Sequence, residues 1–238
     1  NLAPHAGFAG TAVTCTGASI ITGDVGVSPG FLPAITGFPV PCTDVGTLRG
    51  SPASDAAKAD LLTAYGTLDA LACSSTIGPD LAGLTLVPGV YCVTAAPSNL
   101  TGTLLLNAQG NAAATWTFQM ASTLITSPDS TVDVINGGSD CGVQWLVRSS
   151  ATLDTTTTFV GNILALTAIS MNNSASLVGR ALARNAAVTL DNNNISFASC
   201  AVTPGPVPTL STWAMFALIG LLALAGVLTL RNRTSPVA

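Results

Sequence analysis

The chain has 238 residues and a net charge of −4, and only 8% of its residues are charged although 48% are hydrophobic. An ordinary soluble domain carries about 25% charged residues, so this surface relies on other polar side chains, above all 31 threonines. All eleven acidic residues are aspartates and lysine occurs once, which argues against a mainly helical fold. Seven basic residues provide no patch for nucleic acid. The plentiful, regularly spaced apolar residues argue against disorder.

The six cysteines indicate disulfide bonds rather than a metal site. No two of them form a CxxC pair, and His5 is the only histidine, so we expect neither a metal nor a cofactor. Several pairings are open, and the one between sequence neighbours is Cys15–Cys42, Cys73–Cys92 and Cys141–Cys200. Disulfides persist in oxidising compartments. Because Asn1 stands where an initiating Met would be, we also expect that an export signal has been removed.

One helix is predicted, over about residues 52–72. Ser51-Pro52 offers an N-cap followed by proline in the first turn. The apolar residues then recur at helical spacing up to Ala72, whereas the opposite face is polar. This pattern predicts a helix that packs along the rest of the domain. The apolar positions are Ala57, Leu61, Ala64, Tyr65, Leu68, Leu71 and Ala72.

The rest of the domain consists of short alternating runs that repeat. The sequence from Val160 to Ala165 is matched eighteen residues later, from Val178 to Ala183. The sequence from Ile169 to Asn173 is matched nineteen residues later, from Val188 to Asn192. A repeat near 18–20 residues, built of strands with Gly and Asn at the corners, is typical of a β-solenoid.

Aligning the repeats predicts an outward column of small side chains. In each repeat a Leu or Met faces the core, and the residues one and three positions earlier face outward because strand side chains alternate. The outward set is Thr85, Thr101, Thr103, Ala121, Thr123, Ser150, Thr152, Ala168, Ser170, Ala187 and Thr189.

Such a column is suited to ordering water. Coils stack about 4.7–4.9 Å apart, and residues i and i+2 lie roughly 6.6–6.8 Å apart along a strand. Threonine presents a methyl and a hydroxyl group, and its β-branch restricts its rotamers. A rigid, nearly uncharged array of this kind can hold ordered water, which is the requirement for binding ice. The competing interpretation is that threonine is simply a good solvent-facing strand residue.

Several segments carry a resemblance to a known family. Ile21–Gly30, Ile35–Pro39, Leu81–Cys92, Leu100–Gly110, Trp116–Leu124 and Phe159–Ile195 resemble the microbial ice-binding proteins, and together they span roughly residues 7–197. The resemblance implies a discontinuous, right-handed β-solenoid of triangular section with one long helix alongside. It also implies binding of ice through a flat face. That face has no fixed residue motif in the family, so no site residue is transferred by identity.

The C-terminal part predicts a membrane-directed tail. A proline-rich linker with a short motif covers residues 202–209, a hydrophobic helix follows over 210–230, and a basic tail ends the chain at 231–238. The uncharged stretch Trp213–Leu230 spans roughly 27 Å as a helix, near the ~30 Å of a bilayer core. The motif Val207, Pro208, Thr209, Leu210 resembles the sorting signals of Gram-negative envelope proteins. It implies an envelope processing protease as a partner. The remaining domain is residues 1–201.

Two other classes of function compete with ice binding. An enzyme is disfavoured because no Ser-His-Asp or metal–His arrangement can be assembled around His5, and no catalytic residue is predicted. The stronger alternative is a structural surface protein, an adhesin or a self-assembling fibre or surface-layer subunit. An exposed solenoid end offers unpaired backbone groups to another chain. The structural surface protein would be built on the same fold as an ice-binding protein, and the expected location is the cell envelope or the extracellular space after export.

Overall fold

The computed structural model describes residues 2–94 and 97–197. Within these residues the chain forms parallel strands and a single α-helix, α1 (Asp55–Asp69). The strands are, in chain order, β1 (His5–Ala9), β2 (Val13–Thr16), β3 (Ile20–Thr22), β4 (Asp24–Val27), β5 (Ile35–Thr36), β6 (Thr43–Asp44), β7 (Leu48–Arg49), β8 (Ser75–Ile77), β9 (Thr85–Leu86), β10 (Gly89–Val93), β11 (Ser98–Leu100), β12 (Thr103–Asn107), β13 (Trp116–Met120), β14 (Leu124–Thr126), β15 (Thr131–Ile135), β16 (Val143–Val147), β17 (Ala151–Leu153), β18 (Thr158–Ala165), β19 (Ile169–Met171), β20 (Ser176–Ala183), β21 (Val188–Asp191) and β22 (Asn194–Ser196).

A complete coil contributes three strand segments, one to each of three faces. The coil of β19 and β20 shows the arrangement: β19 pairs with β17 and β21, the first part of β20 pairs with β22, and the last part pairs with β1. The bend inside β20 falls at Gly179, whose φ is 150°. A Cβ atom there would lie 2.0 Å from the carbonyl oxygen of Gly161 in the preceding coil. Only glycine therefore allows the two coils to approach at this bend.

The three faces differ in what covers them. The seven-stranded face has the order β11-β14-β17-β19-β21-β2-β5. The helix-covered face contains β1, β4, β7, β8, β10, β13, β16 and the last parts of β18 and β20. The third face contains β3, β6, β9, β12, β15, β22 and the first parts of β18 and β20. Helix α1 covers only the second of these.

The order of coils in space differs from their order in sequence. The first coil, β1 to β3, stacks on the last coil, because β1 pairs with β20, β2 with β21 and β3 with β22. The second coil, β4 to β6, then stacks on the first. Strands from both ends of the domain sequence are therefore neighbours in every sheet.

The structure confirms the predicted repeat. Val160–Ala165 pairs residue by residue with Val178–Ala183, and β19 pairs with β21 at the predicted offset of nineteen. The repeated Leu and Met side chains fill the interior; Leu153 and Met171, for example, are at most 1% exposed. Aromatic rings pack against one another inside, with centroids 5.6, 4.2 and 4.7 Å apart along the series Tyr91, Phe118, Trp145 and Phe159; the first two pairs are stacked and the last is tilted.

The helix lies alongside the solenoid as predicted, but it is shorter than 52–72. Residues 51–54 form turns instead, because the N–H groups of Ser54 and Asp55 donate to the carbonyls of Gly50 and Pro52. The helix ends at Asp69, and the Gln119 side chain donates to the carbonyls of Leu68 and Leu71 just there. Its buried face contacts Leu2, Phe8, Leu146, Leu164 and Leu182 through Ala57, Leu61 and Tyr65.

Two of the predicted disulfides are present, Cys15–Cys42 and Cys73–Cys92. Cys141 is disulfide-bonded as well, and its predicted partner Cys200 lies outside the described residues, so that pairing stays a prediction. The predicted linker, sorting motif and hydrophobic helix at 202–238 also lie outside them. Among the residues described, no helix is long and apolar enough to span a membrane.

Candidate functional site: the seven-stranded face

A continuous row of side chains crosses the seven-stranded face. Thr152, Ser170 and Thr189 are direct neighbours on β17, β19 and β21, and the strand pairing continues the row in both directions. At about 4.8 Å per strand the row is roughly 29 Å long. This central row consists of Asn99, Ile125, Thr152, Ser170, Thr189, Thr14 and Thr36.

The central row faces outward because its neighbours along each strand face the core. On β21, Val188 and Leu190 are at most 1% exposed, whereas Thr189 between them is exposed. The same alternation of buried and accessible residues holds on β17 and β19. The side chains of the row are thus anchored by a close-packed interior, which keeps them in fixed positions relative to one another.

A second row runs parallel to the first, two residues earlier on each coil. It contains only small, uncharged residues: Thr123, Ser150, Ala168, Ala187 and Ala12. Their carbonyl groups accept hydrogen bonds from the adjacent coil, as Ala168 does from Ala151 and Ala187 does from Ile169. The two rows together form a lattice of about 4.8 by 6.7 Å. Neither row includes a charged side chain.

A polar ladder borders the central row on its other side. The Asp154 carboxylate accepts hydrogen bonds from the Asn172 amide (2.9 Å) and the Thr155 N–H (2.8 Å), and these bonds lower the pKa of Asp154 below 3.8. The Asn173 amide donates to Asp191 on the next coil at 3.4 Å. The carboxylates are thus tied to turns between coils, at the corner of the solenoid, where they leave the central row uncharged.

That corner repeats the same backbone turn in five successive coils. One residue of each turn has φ between 54° and 64°, namely Asp129, Thr156, Ser174, Asn192 and Gly17. Asp, Asn and Gly are the residues that most readily adopt this left-handed conformation. The repetition of one turn keeps successive coils in register, so the rows on the adjoining face stay aligned.

The structure brings together part of the predicted column and separates the rest. Thr152, Ser170 and Thr189, with Ser150, Ala168 and Ala187 two residues earlier, lie side by side as predicted. Thr123 is displaced by one row: Leu124 pairs with Ala151, so Ile125 is the neighbour of Thr152. In this register Thr126 faces inward, where its hydroxyl forms a buried hydrogen bond of 2.8 Å with the Thr157 hydroxyl.

Four predicted residues lie off the two rows. Ala121 directly follows β13 and donates its N–H to the carbonyl of Val93, so it continues the helix-covered face. Thr101 follows β11 and bonds to the Asp80 carboxylate at a corner. Thr103 and Thr85 lie on β12 and β9 of the third face. The Thr-Leu dipeptide occurs on the third face, at Thr85-Leu86 and Thr103-Leu104, and on the seven-stranded face, at Thr152-Leu153, so the dipeptide does not identify the face.

The column derived from sequence omitted Thr14 and Thr36, which extend the central row by two strands. A signal was present, since Val13-Thr14 repeats Val188-Thr189 and Ile35-Thr36 repeats Ile169-Ser170 in kind. Thr14 and Thr36 could not be found by stepping back along the sequence in intervals of one repeat, because the first coil stacks on the last one and the second coil stacks on the first. Asn99 and Ile125, the remaining members of the row, were missed as well.

Within 2–94 and 97–197, no group of three or more His, Cys, Asp or Glu side chains is arranged to hold a metal ion. Asp24 forms an ion pair with Arg49 at 2.7 Å and accepts the N–H of Thr47. Asp129 accepts a hydrogen bond from the Thr156 hydroxyl. These carboxylates support turns and ion pairs.

Comparison with known proteins agrees with this architecture. The family model described as Ice-binding-like matches residues 8–196. An ice-binding protein of Nostoc sp. (strain HG1) is 44% identical over 190 residues, covering 79% of this chain and 69% of that protein.

Solved structures with the same fold include an ice-binding protein from the Antarctic ascomycete Antarctomyces psychrotrophicus. It is 36% identical, with a TM-score of 0.78, over 82% of this chain and 95% of the other. An ice-binding protein from an Antarctic biological consortium is 42% identical, with a TM-score of 0.76, over 81% and 87% of the two chains. The family model covers nearly every described residue, and the chain therefore belongs to the Ice-binding-like family.

Proposed function

We propose that this protein binds ice through the seven-stranded face and thereby acts as an antifreeze or inhibits ice recrystallisation. The observation that carries the proposal is the central row, in which five adjacent strands each present one hydroxyl group, from Thr36 to Thr152. The relatives named above are described as ice-binding proteins, which supports the same function here. The coils with three strand segments fit the expected right-handed solenoid of triangular section.

The geometry explains how such a face would hold ice. Each threonine methyl group restricts nearby water to a cage, while the hydroxyl group joins the hydrogen-bond network of that cage. Because the side chains are β-branched and stand on a rigid sheet, little conformational entropy is lost on adsorption. A charged side chain in the plane would retain its own hydration shell instead. The bordering Asp154 and Asp191 are held back at the corner by hydrogen bonds to Asn172 and Asn173.

The test compares two double variants on different faces. Thr152→Tyr/Thr189→Tyr places two bulky rings on the central row, whereas Thr131→Tyr/Thr158→Tyr places them on adjacent strands of the third face. In each pair one threonine is exposed and the other half-buried, so the substitutions are matched. We expect the first variant to lose thermal hysteresis and recrystallisation inhibition, and the second to retain both. Circular dichroism establishes that both variants are folded.

Two outcomes would contradict the proposal. The unsubstituted protein could have no effect on ice growth at any concentration tested. Alternatively, the variant with rings on the seven-stranded face could keep full activity while remaining folded.

A structural surface subunit is the second candidate. Its support is the outermost coil, where Phe31, Val40 and Val45 are 70%, 82% and 63% exposed and could contact another molecule. This candidate predicts concentration-dependent polymers in sedimentation experiments and no effect on ice.

The proposed location is the cell envelope or the extracellular space. The disulfides within the domain fit an oxidising compartment. The proposal assigns residues 207–210 to sorting by an envelope protease and residues 210–230 to at least transient membrane anchoring, both on the sequence pattern. Immunodetection of the chain in membrane and medium fractions, with and without residues 207–238, tests this assignment.

A further inference from the structure

The outermost strand of the seven-stranded face is short and has few backbone partners. Strand β5 consists of Ile35 and Thr36, and it pairs with β2 through these two residues alone. In the sheet order no described strand lies beyond it. Pro33 and Pro39, on either side of β5, have no N–H group to donate. Backbone hydrogen bonds alone therefore fix the position of Thr36 less firmly than the positions of the other threonines of the central row.

A disulfide lies directly beneath this edge. Cys15 is the inward-facing residue between Thr14 and Thr16 on β2, and it is 3% exposed. Its partner Cys42 belongs to the second coil and is fully buried. The bond thus joins the strand that carries Thr14 to the coil that carries Thr36.

The segment after Thr36 also turns back to the disulfide, because it runs from Gly37 to Cys42. The Cys42 N–H donates to the Gly37 carbonyl at 3.0 Å, which closes the turn from 37 to 42. Gly37 has a φ of 91°, and a Cβ atom on it would lie 1.9 Å from the Cys15 carbonyl oxygen. The chain that leaves Thr36 therefore passes in contact with Cys15 and returns to it through Cys42.

From this placement we infer that the Cys15–Cys42 disulfide is a positioning element of the ice-binding face, which holds Thr36 in line with Thr14. Without the bond, the row of hydroxyl groups shortens from five strands to four. The inference rests on the proposed function for its activity, but the position of β5 can be measured separately.

The experiment is a double-mutant cycle on the full chain. Cys15→Val/Cys42→Ala removes the bond and keeps the site apolar, and Thr36→Tyr is made with and without this change. Cys73→Val/Cys92→Ala is the matched control, since that disulfide joins the segment between α1 and β8 to β10 on the helix-covered face. Recrystallisation inhibition is measured for each protein, and hydrogen exchange is followed in peptides covering 31–42 and 186–192.

We expect the bond-free variant to lose roughly twofold to fivefold in activity, about as much as Thr36→Tyr alone, and adding Thr36→Tyr to it to cause no further loss. Exchange in 31–42 should accelerate at least about tenfold while 186–192 is unchanged. The control variant should keep its activity.

The inference is overturned if Thr36→Tyr causes the same loss in both backgrounds, if the control variant loses as much activity, or if exchange in 31–42 is unaffected. Failure of both Cys15→Val/Cys42→Ala and Cys15→Ala/Cys42→Ala to fold would also overturn it, because the bond would then maintain the whole domain. If the unsubstituted protein has no effect on ice, the proposed function fails, and hydrogen exchange still decides whether the disulfide positions β5.

Discussion

Replacing Ile125 by threonine is expected to increase activity on ice. Ile125 is 40% exposed and is the neighbour of Thr152 in the central row, where it ends the series of hydroxyl-bearing strands. The series now covers four strand intervals, or about 19 Å, and Ile125→Thr would lengthen it by about 4.8 Å, which is about a quarter. Because threonine suits exposed strands, stability should change by no more than about 0.5 kcal/mol.

The matched control is Ile20→Thr. Ile20 is also an exposed strand isoleucine, at 47%, and it lies in a row of polar residues on the third face between Thr43 and Asn194. Thermal hysteresis at equal molar concentration should rise by about a quarter or more for Ile125→Thr, in proportion to the contact length, and stay constant for Ile20→Thr.

The reasoning is refuted if a folded Ile125→Thr protein has unchanged or lower hysteresis. An equal gain from Ile20→Thr would also refute it, because the effect would then come from hydrophilicity and not from the central row.

Three further predictions concern stability and pH. Asn193→Ala should cost about 2–4 kcal/mol in denaturant unfolding, because the buried amide donates to the carbonyls of Asn172 and Ala175 on the neighbouring coil and accepts the Asp191 N–H, and all three hydrogen bonds are lost. Leu61→Ala should cost about 2–5 kcal/mol, since this side chain is fully buried under the helix; recrystallisation inhibition by the folded protein should be unchanged, as the helix covers another face. Activity should be constant from about pH 5 to pH 9, because no residue of the central row titrates in this range. A loss of activity near neutral pH in a folded protein would contradict this expectation. The hydrogen bonds that lower the pKa of Asp154 stabilise the fold above pH 3.8, and this contribution is lost as the pH falls through the lower pKa of the folded state.

Local features of the fold followed from the sequence because they depend on short-range periodicity. The offsets of eighteen and nineteen residues became the observed pairing of β18 with β20 and of β19 with β21. The helix was located by its apolar spacing, although its ends were set by contacts with Gln119 and by turns near Gly50. In each case the interacting residues are close in sequence or repeat at a constant interval.

The composition and repeat of this chain determined a threonine-rich solenoid with few charged residues and one helix, and the alternation along each strand determined which side chains face outward. Only the tertiary structure decided which outward residues share a face. The pairing of Leu124 with Ala151 moves Thr123 out of the central row, and Thr85 and Thr103 lie on strands of the third face. The stacking of the first coils on the last one brings Thr14 and Thr36 into the row. Such contacts depend on the order of coils in space, which no local pattern encodes.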